Sequence, residues 1–280
     1  MFFGDVPMII KLIILLSFFI FLYMYAICPE TARKERLRAF RGIMFAHRGY
    51  HCKEKGIPEN SMSAFRAALK KNYGIELDVH LTKDQKTIVF HDDTLTRMCG
   101  RPDIPEQLST DSLSECTLLD TSEHIPLLED VLSLVNGRVP LLIELKMPGR
   151  STRICEKVYE QLKNYPGPVL VQSFNTAGLY WFRKHAPQIL RGQLSCDLMG
   201  SPTKEHWIFR FFTTHLLANF LGRPDFISYK LADLPTPSAS LIRFFWKTPF
   251  AVWTLRTREA IKNGSLHYDM QIFEKSCENY

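Results

Sequence analysis

The stretch 73–81, YGIELDVHL, decides the reading of the fold. Side chains alternate along a strand, so Glu76 and Asp78 point to one side and Ile75, Leu77 and Val79 to the other. A largely buried strand carries two acids side by side only if something offsets their charge. A divalent cation does so, and hard cations take oxygen ligands. A third acid, Glu144, interrupts a second apolar strand at 139–146, VPLLIELK. Two histidines at strand ends, His47 and His91, complete the parts needed for metal-assisted phosphodiester chemistry.

Outward from that strand, apolar runs alternate with amphipathic stretches. Strands are expected to begin near Ile43, Ile75, Pro140, Pro168, Ile189, Asp225, Phe250 and Tyr268. Helical patterns fall at 61–72, 127–136, 153–165 and 175–186. Such alternation means parallel pairing with crossover helices. Eight units in one domain predict an α/β fold, a (β/α)₈ TIM barrel, over 43–280. Only about six residues follow the last strand, so the final outer helix is missing or rudimentary, and the linker after the membrane segment is a candidate to cover the gap. The stretch 94–124 is irregular and polar, an excursion beside the second strand. The stretch 206–221, HWIFRFFTTHLLANFL, carries too many large apolar groups for one helical stripe. It is either buried on several sides or in contact with lipid.

At 280 residues, with 46% hydrophobic content, the chain can fill one large domain. The segment 6–28 is almost wholly apolar, long enough to cross a bilayer, which needs ~20 residues. Asp5 before it and the absence of a small-x-small cleavage site after it favour an uncleaved anchor over a signal peptide. Residues 1–42 therefore form a transmembrane anchor and basic linker. Between 29 and 41, five cations face two acids, which suggests anionic membrane lipid as a partner and places the barrel on the cytoplasmic side of the cell membrane, single-pass. The net charge of +6 is no nucleic-acid signature, and no nucleic-acid-binding motif is visible. Seven cysteines without regular spacing argue against a disulfide framework and for a reducing compartment.

FAHRG (45–49), Glu59-Asn60-Ser61, IELDVHLTKDQ (75–85), VFHDDTLTR (89–97), IPLLEDVL (125–132), LLIELK (141–146), VQSF (171–174) and VWT (252–254) occur in this order. In this the chain resembles the glycerophosphodiester phosphodiesterase family, in its membrane-anchored bacterial form. The resemblance implies the same barrel fold and hydrolysis of glycerophosphodiesters to sn-glycerol 3-phosphate and an alcohol. It implies Glu76, Asp78 and Glu144 as ligands of a divalent cation, Mg²⁺ or Ca²⁺. His47 and His91 then serve as general acid and base, in an order the sequence leaves open. Arg48 and Lys146 would hold the substrate phosphate, and Phe174 and Trp253 would wall the pocket. Glu59, Asn60 and Asp93 are expected to support the site, Asp93 with Arg97 bracing the His91 loop; the alternative role for Asn60 or Ser61 is a helix N-cap. The nucleophile is water or a glycerol hydroxyl. The family's last strand usually ends in Asp after Thr; here the run is MQIFEK (270–275), and Glu274 is the available substitute. Two rival readings remain: a lysophospholipase D-type enzyme acting on membrane lysophospholipids, and a catalytically silent membrane scaffold.

Overall fold

Inward and outward side chains alternate along short parallel strands, and this alternation builds a closed barrel. The computed structural model describes residues 7–149, 151–200 and 205–274; Asp5, Val6 and Lys275, used above, and the last of the seven cysteines, Cys277, lie outside them. Helix α1 (Met8–Ile27) precedes the barrel. Strand β1 (Met44–Ala46), α2 (Met62–Lys70), β2 (Gly74–Leu81) and β3 (Thr87–Val89) follow. Next come α3 (Thr96–Cys99), α4 (Thr110–Ser114), α5 (Leu128–Val135), β4 (Leu141–Leu145), α6 (Arg153–Leu162), β5 (Val169–Ser173), α7 (Thr176–His185) and β6 (Leu190–Ser195). The chain continues through α8 (Trp207–Thr214), α9 (Asn219–Gly222), β7 (Phe226–Lys230), α10 (Pro237–Leu241), β8 (Phe250–Leu255), α11 (Arg258–His267) and β9 (Met270–Phe273).

The strands run in the order β1-β9-β8-β7-β6-β5-β4-β2, all parallel, and β1 pairs with β2 to close the ring. This is the expected eight-stranded TIM barrel. Strand β3 is an addition, folded back antiparallel onto β2. Outward residues Ile75, Leu77 and Val79 of β2 and Ile143 and Leu145 of β4 pack against Phe65 of α2 and Val131 of α5. Inward residues divide by height. At the strand starts, Phe45, Leu142, Leu170, Phe226 and Ile272 make an apolar floor. A Cβ on Gly192 would meet the Phe226 ring at 2.2 Å, so glycine is what admits that ring. One step towards the strand ends, the inward positions turn polar: Glu76, Asp78, Glu144 and Gln172.

The structure refines several expectations. The stretch 206–221 is two helices, because Leu216 adopts φ 58° and breaks the run between α8 and α9. The excursion 94–124 has a small core of its own, in which Leu95, Met98, Leu113 and Leu118 pack on Ile88 and Phe90. The basic linker 29–41 is docked on the barrel. Its Leu37 and Phe40 plug the barrel floor. Arg33 bonds Asp225, Arg36 the Gln188 carbonyl at 2.6 Å, and Lys34 the Trp246 carbonyl. Arg38 and Arg41 pair with Glu35 and Asp269. The linker thus covers the floor of the barrel; the expectation of a missing final helix concerns residues 275–280, which lie outside the described residues. Cys52 is disulfide-bonded, which the irregular cysteine spacing did not lead one to expect, while Cys28, Cys99, Cys116, Cys155 and Cys196 are free.

Candidate active site

Register brings the acids together. Glu76 and Asp78 come from β2, and Asp78 lies directly across from Glu144 of β4. Ligand oxygens of Glu76, Asp78 and Glu144 all lie within 4.8 Å of one another. They are 2%, 1% and 8% exposed, too little for water to screen their repulsion. Lys146 Nζ donates to Asp78 Oδ1 at 2.9 Å and to Glu144 Oε1 at 2.5 Å. Asn60 Nδ2 donates to Asp78 Oδ2 at 2.9 Å, and Arg48 Nε stands 3.6 Å from the same oxygen. Among the described residues, Glu76 accepts a hydrogen bond only from the Arg48 backbone N–H, at 3.0 Å.

The proton affinities follow from this uneven supply of positive charge. Burial, reinforced by Asp78 and Glu144, pushes the Glu76 carboxyl well above the usual carboxylate range. Burial also raises Glu144 despite Lys146. Burial works on Asp78 in the same direction, but Lys146, His91 and Arg48 overcome it and hold Asp78 well below. The cluster is therefore short of one positive charge, at Glu76. Three buried hard-oxygen donors with that deficit fit a divalent cation. The structural salt-bridge alternative accounts for Lys146 but leaves Glu76 with no salt bridge among the described residues, only the more distant attraction of Arg48.

Both histidines follow strand ends on the same side of the barrel. After His47 the chain turns sharply through Arg48 (φ 55°) and Gly49 (φ 80°). A Cβ on Gly49 would sit 2.8 Å from the Ala64 Cβ, so only glycine lets α2 approach. His47 Nδ1 lies 3.2 Å from Glu274 Oε2, and Arg256 anchors that carboxylate at 2.9 Å. Burial presses the His47 imidazole down to about 4, and the hydrogen bond with His47 draws Glu274 down to about 2. His91 Nδ1 lies 2.7 Å from Asp92 Oδ1. Arg97 joins Asp92 to Glu59, and Glu59 joins Arg48 at 2.7 Å. This chain of charges brackets the mouth from one histidine to the other.

His47, His91, Glu76, Glu144 and Lys146 share a cavity of about 90 Å³. Phe174 and Trp253 close one side, edge to face at 6.1 Å. Trp253 Nε1 and Gln172 Oε1 line it and are buried without a hydrogen-bond partner among the described residues. They are a donor and an acceptor left for a polar ligand. Glu144, Lys146 and Phe174 also line a larger neighbouring cavity of about 1190 Å³, walled partly by Ile104, Met147, Leu198, Ile208 and Phe209.

The sequence-level model of the glycerophosphoryl diester phosphodiesterase family matches residues 47–207, more than half of the chain. The chain belongs to this family. A glycerophosphodiester phosphodiesterase of Bacillus altitudinis is 37% identical over 171 residues, 57% of this chain and 69% of that one. A human lysophospholipase D is 27% identical over 150 residues, 49% of this chain and 46% of that one. The fold matches a phosphodiesterase of Oleispira antarctica, solved with its product sn-glycerol-3-phosphate, at TM-score 0.68 and 21% identity, over 84% of this chain and 94% of that one. As a member of the family the chain is a metal-dependent phosphodiesterase that cleaves glycerophosphodiesters to sn-glycerol 3-phosphate and an alcohol.

Within this glycerophosphodiester phosphodiesterase, the structure brings Glu76, Asp78, Glu144, His47, His91, Arg48, Lys146, Phe174 and Trp253 to one cavity or its rim. Asn60 holds Asp78 while Ser61 caps α2, so the two split the roles the sequence left open. Asp93 does not brace His91; it lines the larger cavity, and Asp92 with Arg97 does the bracing. The adjacent acids in HDD could not be told apart by type, only by the turn that aims them. Gln172 was missed because a lone polar residue at a strand end carries no signature. Lys230 pairs with Asp233 at 3.5 Å and is not among the residues lining either cavity.

Proposed function

We propose that Glu76, Asp78 and Glu144 bind one hard divalent cation, Mg²⁺ or Ca²⁺, and that His47 is the general base and His91 the general acid. The observation that carries this is the buried carboxylate cluster opening onto the same small cavity as both histidines. When bound, the cation polarises the phosphoryl oxygens and offsets charge in the transition state. Arg48 and Lys146 add fixed positive charge for the phosphate. His47 is held neutral by burial, and with Nδ1 turned to Glu274 it presents Nε2 to accept a proton. His91 has its Nδ1 on Asp92, leaving Nε2 to donate to the departing alcohol. The attacking group is water or a free glycerol hydroxyl.

A lysophospholipase D-type reaction is the second reading. The large, partly apolar cavity neighbouring the site supports it, since an acyl chain needs such a wall. We further propose that α1 anchors the enzyme in the cell membrane. Its twenty residues have a mean hydropathy of 2.4, and no residue of its spanning window is fully buried. The basic run after α1 supports a cytoplasmic barrel; the Cys52 disulfide is the observation on the other side. Purified protein offered glycerophosphocholine or a lysophospholipid, with Mg²⁺ or Ca²⁺, tests the reading by ³¹P NMR. Release of sn-glycerol 3-phosphate from the first supports it; turnover of neither substrate overturns it.

A further inference from the structure

The path of α1 fixes which end of the barrel faces the bilayer. The last turn of α1 packs on the barrel flank. At its end, Asn219 Nδ2 donates to the Ile27 carbonyl at 3.1 Å and Arg223 to the Cys28 carbonyl at 3.1 Å. Asn219 and Arg223 lie just before β7 begins, hence beside the barrel floor. One turn earlier in α1, Tyr23 Oη meets Ser238 Oγ at 2.8 Å. Ser238 lies in the first turn of α10, which follows the end of β7 and so starts at the mouth. Going from Ile27 back to Tyr23 therefore runs from floor to mouth, and continuing to Met8 leads beyond the mouth.

Residues 8–22 are exposed throughout. At 1.5 Å per residue they reach about 22 Å, less than the ~30 Å hydrocarbon core of a bilayer. No spacer separates this free part from the barrel, so the end it leaves is held against the membrane. The rim on that side is apolar and exposed: Met199, Trp207 (62% exposed), Ile208 and Phe211. They belong to the β6–β7 crossover, whose α9 is the one α1 packs against. Tryptophan at such a rim suits the membrane–water interface. Ile208 also lines the large cavity, so the rim and the substrate route are continuous. The basic linker, by contrast, lies at the floor.

We infer that the catalytic mouth faces the bilayer that α1 spans, with the Met199–Trp207–Ile208 rim seated in its interface, so that a phosphodiester on a lipid reaches the site without leaving the membrane. This rests on the reading of α1 as an anchor. The test uses the full chain in nanodiscs carrying lipids brominated on their acyl chains. An environment-sensitive fluorescent amino acid replaces either Trp207 at the mouth or Leu266, exposed at the floor end of α11. Quenching several-fold stronger at position 207 than at 266 supports the inference; equal quenching, or stronger at 266, overturns it. A chain that an alkaline wash strips from the membrane overturns the anchor reading and this inference together. A second variant, Trp207→Glu, should slow hydrolysis of a bilayer-embedded lysophospholipid about tenfold by weakening interfacial seating, while soluble glycerophosphocholine, which reports folding, is turned over as before. Equal rates with both substrates would count against the membrane route.

Discussion

Removing the ammonium of Lys146 tests whether a cation belongs among the three carboxylates. Lys146 lies 2.9 Å from Asp78 and 2.5 Å from Glu144, and both acids are buried. Lys146→Met keeps an unbranched stem but takes away the ammonium that lies nearest Asp78 and Glu144, leaving Arg48, Asn60 and the more distant His91. Breaking a buried ion pair by deleting one partner costs about 3–5 kcal/mol. In a domain of this size 1 kcal/mol moves Tm by about 2–4 °C, so the metal-free variant should melt ~6–20 °C below the parent. A divalent cation then supplies the missing charge. Saturation to a hundred times Kd stabilises any binder by about 2.7 kcal/mol; in the variant the cation also relieves repulsion that Lys146 offsets in the parent. The gain in Tm on adding Mg²⁺ or Ca²⁺ should therefore be larger in Lys146→Met. Thermal melts in EDTA and in metal measure both. A variant that melts with the parent in EDTA, or gains no more from metal, refutes the reasoning.

The two histidines should fail differently. Either His→Ala change should cost ~10²–10⁴-fold on a glycerophosphodiester, but a p-nitrophenyl ester, whose leaving group needs no proton, should rescue His91→Ala and not His47→Ala; the reverse pattern exchanges the roles. His47 accepts a proton only while neutral, so kcat/KM should persist as pH falls through the ordinary histidine value of 6.5 and drop near pH 4; a limb centred at 6.5 contradicts the buried, neutral base. Glu274 acts by positioning His47, so Glu274→Gln should lower kcat about tenfold, roughly 1.4 kcal/mol, with KM unchanged, and a rise in KM alone would assign it to binding instead. For the anchor, protease added to intact cells should spare the barrel, while digestion from outside would reverse the topology and accord with the Cys52 disulfide.

The barrel was legible because parallel strands buried on both faces read as apolar runs, and all eight begin within about two residues of where the pattern sets them. The acid cluster was legible for the opposite reason, since charge inside such runs demands a function. What escaped was set by tertiary geometry. Nothing local distinguishes Asp92 from Asp93; the turn after β3 aims the first at His91 and the second into the large cavity. At the break Leu216 is buried with Ile27, Ile227 and Tyr229, contacts made only in the folded chain, and the seat of Leu37 and Phe40 in the floor depends on a space only the closed barrel creates. Glu274 was visible as a departure from the family pattern, yet its partnership with His47 spans the chain from the first strand of the barrel to the end of its last.

The central claim is that hydrolysis depends on one cation held by Glu76, Asp78 and Glu144. Its most direct test is turnover of glycerophosphocholine titrated with Mg²⁺ or Ca²⁺, for the parent and for Glu144→Ala, with metal binding followed by calorimetry in parallel. The account predicts no parent turnover in EDTA, saturable recovery with metal, and loss of both turnover and tight binding in Glu144→Ala, because an incomplete oxygen shell no longer holds the ion. Full parent turnover in EDTA, or a Glu144→Ala protein that binds metal and turns over normally, would contradict it.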